Sequence, residues 1–241
     1  MGKKIKIALY QGRSGLGLPE DIITKIQDAQ PDILCLPEYF MVHPEQQTIL
    51  TSADKHNQYL YYLKSLSLKL RCAIIGATLL KRGINGYNNT CYFISDGEVK
   101  GYYEKIHPYK NEGQGKVIPG YEYKVIRYGK FRIGLLICAD VLFPWSFANI
   151  RGLRPDFIVV PTSSPYRPYE PIRKKHSRDQ RIFVEGARKA GCPVIKVSSV
   201  GKIANKKVQG RSLVATLDGI IFRVSPRDEL KTVFKIINLE L

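Results

Sequence analysis

The sequence predicts a layered α/β or α+β domain built on mixed sheets, and three observations carry that expectation. Strand-like apolar runs interleave with segments of helical periodicity. Two Asp-Gly pairs, Asp96-Gly97 and Asp218-Gly219, lie in strand-rich stretches and ask for antiparallel hairpins, so a purely parallel sheet is excluded. The 241 residues are 44% hydrophobic and 24% charged, which supplies a sizeable core and excludes a disordered or low-complexity chain. No linker or repeat divides them, so one domain over 1–241 is expected.

The elements follow in order. Residues 4–10 alternate as a strand. Pro19 suits the first turn of a helix that places Ile22, Ile26 and Ala29 on one face. Residues 32–36 read as a buried strand, completing a βαβ unit. A helix over about 53–70 aligns Leu60, Leu63, Leu66 and Leu70, and residues 72–79 return as a strand. Asn85-Gly86 marks a turn, and Asp96-Gly97 joins strands at 90–95 and 98–104. Further strands are expected at 123–128, 131–137 and 157–160, with a short helix after Pro144. One long helix is expected over roughly 173–190, followed by β-rich sequence around Asp218-Gly219.

Composition narrows the function classes. The longest apolar run, 133–145, is broken by Asp140 and falls short of the roughly 18 residues of a membrane span. No membrane association is expected, no signal peptide is visible, and a cytoplasmic location follows as an expectation. The five cysteines (Cys35, Cys72, Cys91, Cys138, Cys192) are odd in number and lack a C-x-x-C, which fits neither a disulfide framework nor a zinc site. His43, His56 and His176 show no metal spacing, so no metal is expected. In a reducing compartment the sequon Asn88-Asn89-Thr90 stays unglycosylated. The net charge of +17 is large enough to attract anions.

Three reactive side chains share one topological position. Glu38, Lys105 and Cys138 each stand just beyond the carboxyl end of an expected strand, where ligands of open α/β sheets gather. A free thiol is only a few per cent thiolate at neutral pH, so a nucleophilic Cys138 needs a base or a positive neighbour. Glu38 would serve as the first and Lys105 as the second, with an oxyanion also within Lys105's scope. Taken singly each residue also fits a plain reading, a core cysteine or a solvated rim charge.

At these residues the chain resembles the nitrilase, or carbon–nitrogen hydrolase, family. The segments are Leu34-Cys35-Leu36-Pro37-Glu38-Tyr39-Phe40, Tyr103-Glu104-Lys105-Ile106-His107-Pro108-Tyr109 and Gly134-Leu135-Leu136-Ile137-Cys138-Ala139-Asp140, with Phe143-Pro144 following. Glu112, ahead of Ile118-Pro119-Gly120, stands where the family carries a second glutamate, and the similarity continues through Val159-Val160-Pro161-Thr162-Ser163 and the 181–188 helix. The resemblance implies a four-layer αββα sandwich, usually a homodimer or higher homo-oligomer, that hydrolyses non-peptide C–N bonds of a small amide without a cofactor. It also implies Glu38 as general base, Cys138 as nucleophile, Lys105 with the Ala139 N–H as oxyanion donors, and Glu112 as the residue that fixes Lys105. Cys138-Ala139-Asp140 replaces the Cys-Trp-Glu typical of true nitrilases and lies nearer the amidase and carbamoylase branches. Leu142 and Trp145 flank Phe143-Pro144 where those branches often carry Arg and Glu. By adjacency to the motifs, Tyr39, Tyr109, Trp145, Ser163 and Tyr166 are expected to line the pocket.

Two other readings compete. His107 offers a papain-like pairing with Cys138. The basic run Arg167, Arg173, Lys174, Lys175, His176, Arg178 and Arg181, interleaved with Tyr166 and Tyr169, would suit an inactive relative that binds nucleic acid. A solvated helix face is the bland account of the same run.

Overall fold

The computed structural model describes residues 2–110 and 112–241. In chain order the strands are β1 (Lys4–Gln11), β2 (Ile33–Cys35), β3 (Ala73–Arg82), β4 (Tyr87–Ser95), β5 (Glu98–Glu104), β6 (Lys124–Tyr128), β7 (Phe131–Leu135), β8 (Phe157–Thr162), β9 (Ser164–Pro165), β10 (Val194–Ser198), β11 (Gly201–Ile203), β12 (Lys206–Gln209), β13 (Leu213–Ala215), β14 (Ile220–Arg223) and β15 (Val233–Glu240). The α-helices are α1 (Glu20–Ala29), α2 (His56–Leu70), α3 (Pro144–Gly152), α4 (Ile172–Asp179) and α5 (Glu185–Ala190).

Pairing gives two six-stranded mixed sheets, β15-β1-β2-β3-β4-β5 and β14-β13-β10-β8-β7-β6, and a small third sheet β11-β12-β9. Each large sheet is parallel at its centre and antiparallel at its flanks. The expected hairpins sit in those flanks: Asp96-Gly97 turns β4 into β5 with both residues at positive φ, and Asp218-Gly219 turns β13 into β14. Period-two alternation explains the layers. Ile5, Ile7 and Leu9 of β1 share one apolar core with Ile133 and Leu135 of β7, so the sheets pack face to face. Ala8 and Tyr10 point the other way, onto Ile22 and Ile26 of α1 and Leu63 and Leu66 of α2. Phe147 and Ile150 of α3 with Ala187 and Ala190 of α5 cover the far side. The result is the expected αββα sandwich. Among the described residues no helix is long and apolar enough to cross a membrane.

Two expectations need correction. The helix foreseen at 53–70 begins at His56, because residues Ile49–Lys55 form a tighter 3₁₀ turn capped by the Thr48 hydroxyl, which accepts from the Leu50 N–H. The helix foreseen at 173–190 runs unbroken over 172–190 but not with one pitch: α4 and α5 are joined by a π-helical turn over Gln180–Val184. Such turns insert one extra residue and commonly sit at functional sites.

A glycine in β3 couples the sheet to the segment that carries Glu38. Gly76 has φ +105°, and a Cβ there would stand 2.0 Å from the Leu36 carbonyl oxygen. The register slips between Gly76 and Leu79, and within that bulge the Thr78 hydroxyl accepts from the Tyr39 N–H. Gly76→Ala should therefore cost about 3 kcal/mol or more, strain and clash together. Gly115→Ala, also at positive φ but with nothing within 4 Å, should cost only about 1 kcal/mol. Urea unfolding of both variants checks this; equal losses would mean that the approach to Leu36 is not what requires glycine.

Candidate active site

Glu38, Lys105, Glu112 and Cys138 all line one cavity of about 1120 Å³. They arrive from both sheets: Glu38 follows β2 and Lys105 follows β5 in the first, while Cys138 follows β7 in the second. The crevice therefore opens between facing sheets, where the open-sheet rule had suggested one sheet's edge.

Lys105 is the centre of the arrangement and is 1% exposed. Its Nζ donates to Glu38 Oε1 at 2.9 Å and to Glu112 Oε2 at 2.7 Å. Burial opposes its charge, but Glu38, Cys138 and Glu112 together outweigh that and raise its pKa. Glu112 shows the converse balance. Burial would favour its neutral form, yet the Lys105 ammonium and hydrogen bonds from Tyr39 OH and the Tyr109 N–H hold its pKa below the usual value. The backbone after Lys105 is stapled in place, since the Lys105 N–H donates to Asn89 O and the Gly120 N–H to Lys105 O. A Cβ at Gly120 would lie 2.4 Å from Glu104 O, so the turn needs glycine there.

Asn89 ties the carboxylates together and is fully buried. Its Nδ2 lies 2.9 Å from Glu38 Oε1, 2.9 Å from Tyr39 OH and 3.0 Å from Glu112 Oε1. Two of these three partners are carboxylate oxygens, which fixes the amide's orientation. Sequence reasoning missed this residue and saw in it only a sequon. An asparagine at the mouth of an apolar strand carries no other signal.

Cys138 alone among the five free cysteines is only partly buried; the other four are buried. Its φ is +43°, a left-handed conformation that a non-glycine residue adopts at a cost. It opens a 3₁₀ turn over Cys138–Leu142 whose first bond runs from the Asp140 N–H to Ile137 O, so the Ala139 N–H stands ahead of the ladder. Ser163 touches both partners: its hydroxyl donates to Glu38 Oε2 at 2.6 Å, and its carbonyl lies 3.8 Å from Cys138 Sγ. Burial, then the Glu38 charge, push the thiol's pKa up, with Lys105 opposing.

Asp140, buried and well bonded, anchors the walls. Oδ2 accepts from the Ile137 N–H at 2.9 Å and Tyr103 OH at 2.8 Å, and Oδ1 from the His107 N–H at 2.8 Å. The His107 ring lies 3.1 Å from the same oxygen and stacks on Phe143 at 4.1 Å. His107 is thus engaged with Asp140, which does not favour a Cys138–His107 pair.

Tyr39, Tyr109 and Ser163, expected from adjacency, stand in the cavity wall, as does Ala139, which the resemblance named as an oxyanion donor. Trp145 and Tyr166 do not. Trp145 is half exposed beside Phe143 and His107, because α3 starts at Pro144 and turns it outward. Tyr166 carries the Lys207 ammonium 3.9 Å above its ring. The basic run is not one free face either. Lys175 is buried against Glu229 and Arg178 is paired with Glu170, leaving Arg173, Lys174 and Arg181 outward. Among the described residues no group of three or more His, Cys, Asp or Glu is placed to hold a metal ion.

The amidase NitN from Nesterenkonia sp. AN1 superposes with a TM-score of 0.83, covering 98% of this chain and 92% of that one at 20% identity. One structure of that amidase shows the acetamide moiety of fluoroacetamide added covalently at its active site cysteine. A carbon-nitrogen hydrolase from Helicobacter pylori G27 superposes at TM-score 0.80 and 15% identity, covering 97% of this chain and 89% of that one. In sequence, a glutamine-dependent NAD(+) synthetase from Thermotoga maritima is 26% identical over 211 residues, 80% of this chain and 36% of that protein. A chloroplastic omega-amidase from Arabidopsis thaliana is 36% identical over 91 residues, 34% of this chain and 24% of that protein. The matches thus span about a third or less of these curated relatives' length. The sequence pattern of the carbon-nitrogen hydrolases runs from residue 6 to residue 241, and with it the chain belongs to the carbon-nitrogen hydrolase family.

Proposed function

We propose that the chain hydrolyses a linear amide or an N-carbamoyl compound through a thioester on Cys138, releasing ammonia or an amine. The observation that carries this reading is the Lys105 ammonium bonded to both Glu38 and Glu112 in the cavity that Cys138 lines. A thiol whose pKa is raised stays protonated at rest, so attack needs a base at the moment of reaction. Glu38 takes the Cys138 proton as sulfur adds to the carbonyl carbon. Negative charge then grows on the carbonyl oxygen, where Lys105 and the Ala139 N–H supply fixed positive charge. Glu38 returns the proton to the departing nitrogen. It next removes a proton from the water that attacks the thioester, and gives that proton to the Cys138 sulfur as the C–S bond breaks and the acid leaves. Glu112 holds Lys105 in place with Asn89 and Tyr39. Ala139 and Asp140 stand where true nitrilases tend to carry Trp-Glu, which supports an amide substrate over a nitrile.

Ammonia release across a panel of linear amides, ureido acids and matching nitriles tests the reaction. Amide turnover should exceed nitrile turnover and vanish in Cys138→Ala; the reverse order would overturn the amidase reading.

Lys105→Met should lower kcat and kcat/KM together by at least roughly 10²–10³, the cost of an oxyanion donor, with KM almost unchanged. A raised KM with near-normal kcat would show that Lys105 only binds substrate.

Glu38→Gln separates charge from proton transfer. The Glu38 charge raises the Cys138 pKa, so electrostatics alone would make the variant's thiol more acidic and its alkylation by iodoacetamide faster. A base role predicts instead that turnover falls by about 10²–10⁴ even if labelling quickens. Retained turnover would remove Glu38 from the mechanism.

A further inference from the structure

The same cavity has a second chemical wall that the thioester chemistry leaves unused. Lys196 of β10 and Arg211, just before β13, line it and are 2% and 4% exposed. Asp179, at the end of α4 where the π-helical turn begins, faces them. Its carboxylate stands 3.9 Å from Lys196 Nζ, 3.7 Å from Arg211 Nη2 and 3.9 Å from Arg223 Nε, all beyond hydrogen-bond length. Arg211 Nε and Nη1, Arg223 Nε and Asp179 Oδ2 are buried without a hydrogen-bond partner. Three cations therefore surround one carboxylate, whereas the neighbouring Arg178–Glu170 and Lys175–Glu229 pairs neutralise themselves.

Buried donors and excess buried charge are expensive unless a partner meets them. The partner that meets them is an oxyanion: a carboxylate or phosphate offers acceptor oxygens to a guanidinium and an ammonium at once. The burial that lowers the Lys196 pKa to about 8 would be offset by such an anion. Lys196 and Arg211 line the same cavity as Cys138, so wall and thiol can address one ligand. A lysine in the apolar run Val194-Ile195-Lys196-Val197 is the sequence signal for this wall.

We propose that Lys196 and Arg211 form a subsite for an anionic group carried by the substrate, so that the preferred substrate is an amide bearing a carboxylate or phosphate at its far end. The inference rests on the amidase reading above. Asp179 is a positioning residue that keeps the two cations apart and aimed at the cavity.

The test compares wild type, Arg211→Gln and Arg211→Lys on aliphatic amides of increasing length, each with and without a terminal carboxylate or phosphate. Wild type should favour an acidic amide over its neutral twin in kcat/KM, and Arg211→Gln should shrink that ratio by on the order of 10- to 100-fold, the scale of hydrogen bonds to a charged group. Arg211→Lys should restore part of it, and thermal melts identify any variant that has lost its fold. Should Arg211→Gln be such a variant, Lys196→Met must shrink the same ratio. Whether carboxylated or phosphorylated amides show the larger ratio identifies the group. Equal rates on acidic and neutral amides would overturn the subsite and leave the amidase reading intact. Inhibition by inorganic phosphate without any acidic-amide preference would also overturn it, as the site of a free anion. If no amide is turned over, the amidase reading fails. Calorimetric titration of the wild type with the corresponding dicarboxylates then decides the subsite alone: binding lost in the Arg211 variant supports it, and no binding ends it.

Discussion

A primary ammonium with almost no exposure, bonded to two carboxylates that are themselves almost enclosed, is the constraint around which the molecule is organised. Neither Lys105 nor Glu112 would remain charged there alone, because removing an ion from water costs several kcal/mol that only a close opposite charge offsets. With Glu38 the site sets two carboxyl groups against one ammonium. The donors that moderate the excess come from elsewhere: the Asn89 amide, the Ser163 hydroxyl and the Tyr109 N–H. Each sits on a different element, so the centre requires both sheets and the loop after Lys105 to be in register at once. The face-to-face packing of β1 and β7 is, in that sense, the precondition of the chemistry.

Local signals carry most of the fold. Alternation in β1, the leucine face of α2 and the two Asp-Gly turns are features of neighbouring residues, and a sequence displays them directly. What it does not display is a change of helical pitch. Nothing in Gln180-Arg181-Ile182-Phe183-Val184 breaks helical periodicity, so the π-helical turn has no signal among neighbouring residues. The start of α2 is missed for a related reason, since a 3₁₀ turn and an α-turn differ by one hydrogen-bond step that composition does not encode.

The site divides along the same line. Glu38, Lys105, Glu112 and Cys138 are legible because each sits in a motif of ordered residues, and their meeting in one cavity is visible only in three dimensions. Adjacency in sequence served for Tyr39, Tyr109 and Ser163, which line the cavity beside the motif residues. It failed for Trp145, which a helix start rotates away, and for Tyr166, which packs under Lys207. Asn89 and Arg211 were invisible for a deeper reason: their significance lies in which atoms they face, and those partners come from distant parts of the chain.

The pairing of β15 with β1 has a consequence for biogenesis. These strands run antiparallel in an unbroken register from Lys4 opposite Glu240 to Gln11 opposite Val233. Contacts of that sequence separation are the slowest to form. As the chain leaves the ribosome, β1 can acquire β2 on one side early, but its other edge has no partner until residue 240 has emerged. For most of synthesis the nascent domain thus presents an unprotected, largely apolar strand edge, the kind of surface that invites pairing between chains. Lys4 and Lys6 lie along that edge, and their charges set the nascent strand apart from an uncharged, aggregation-prone one.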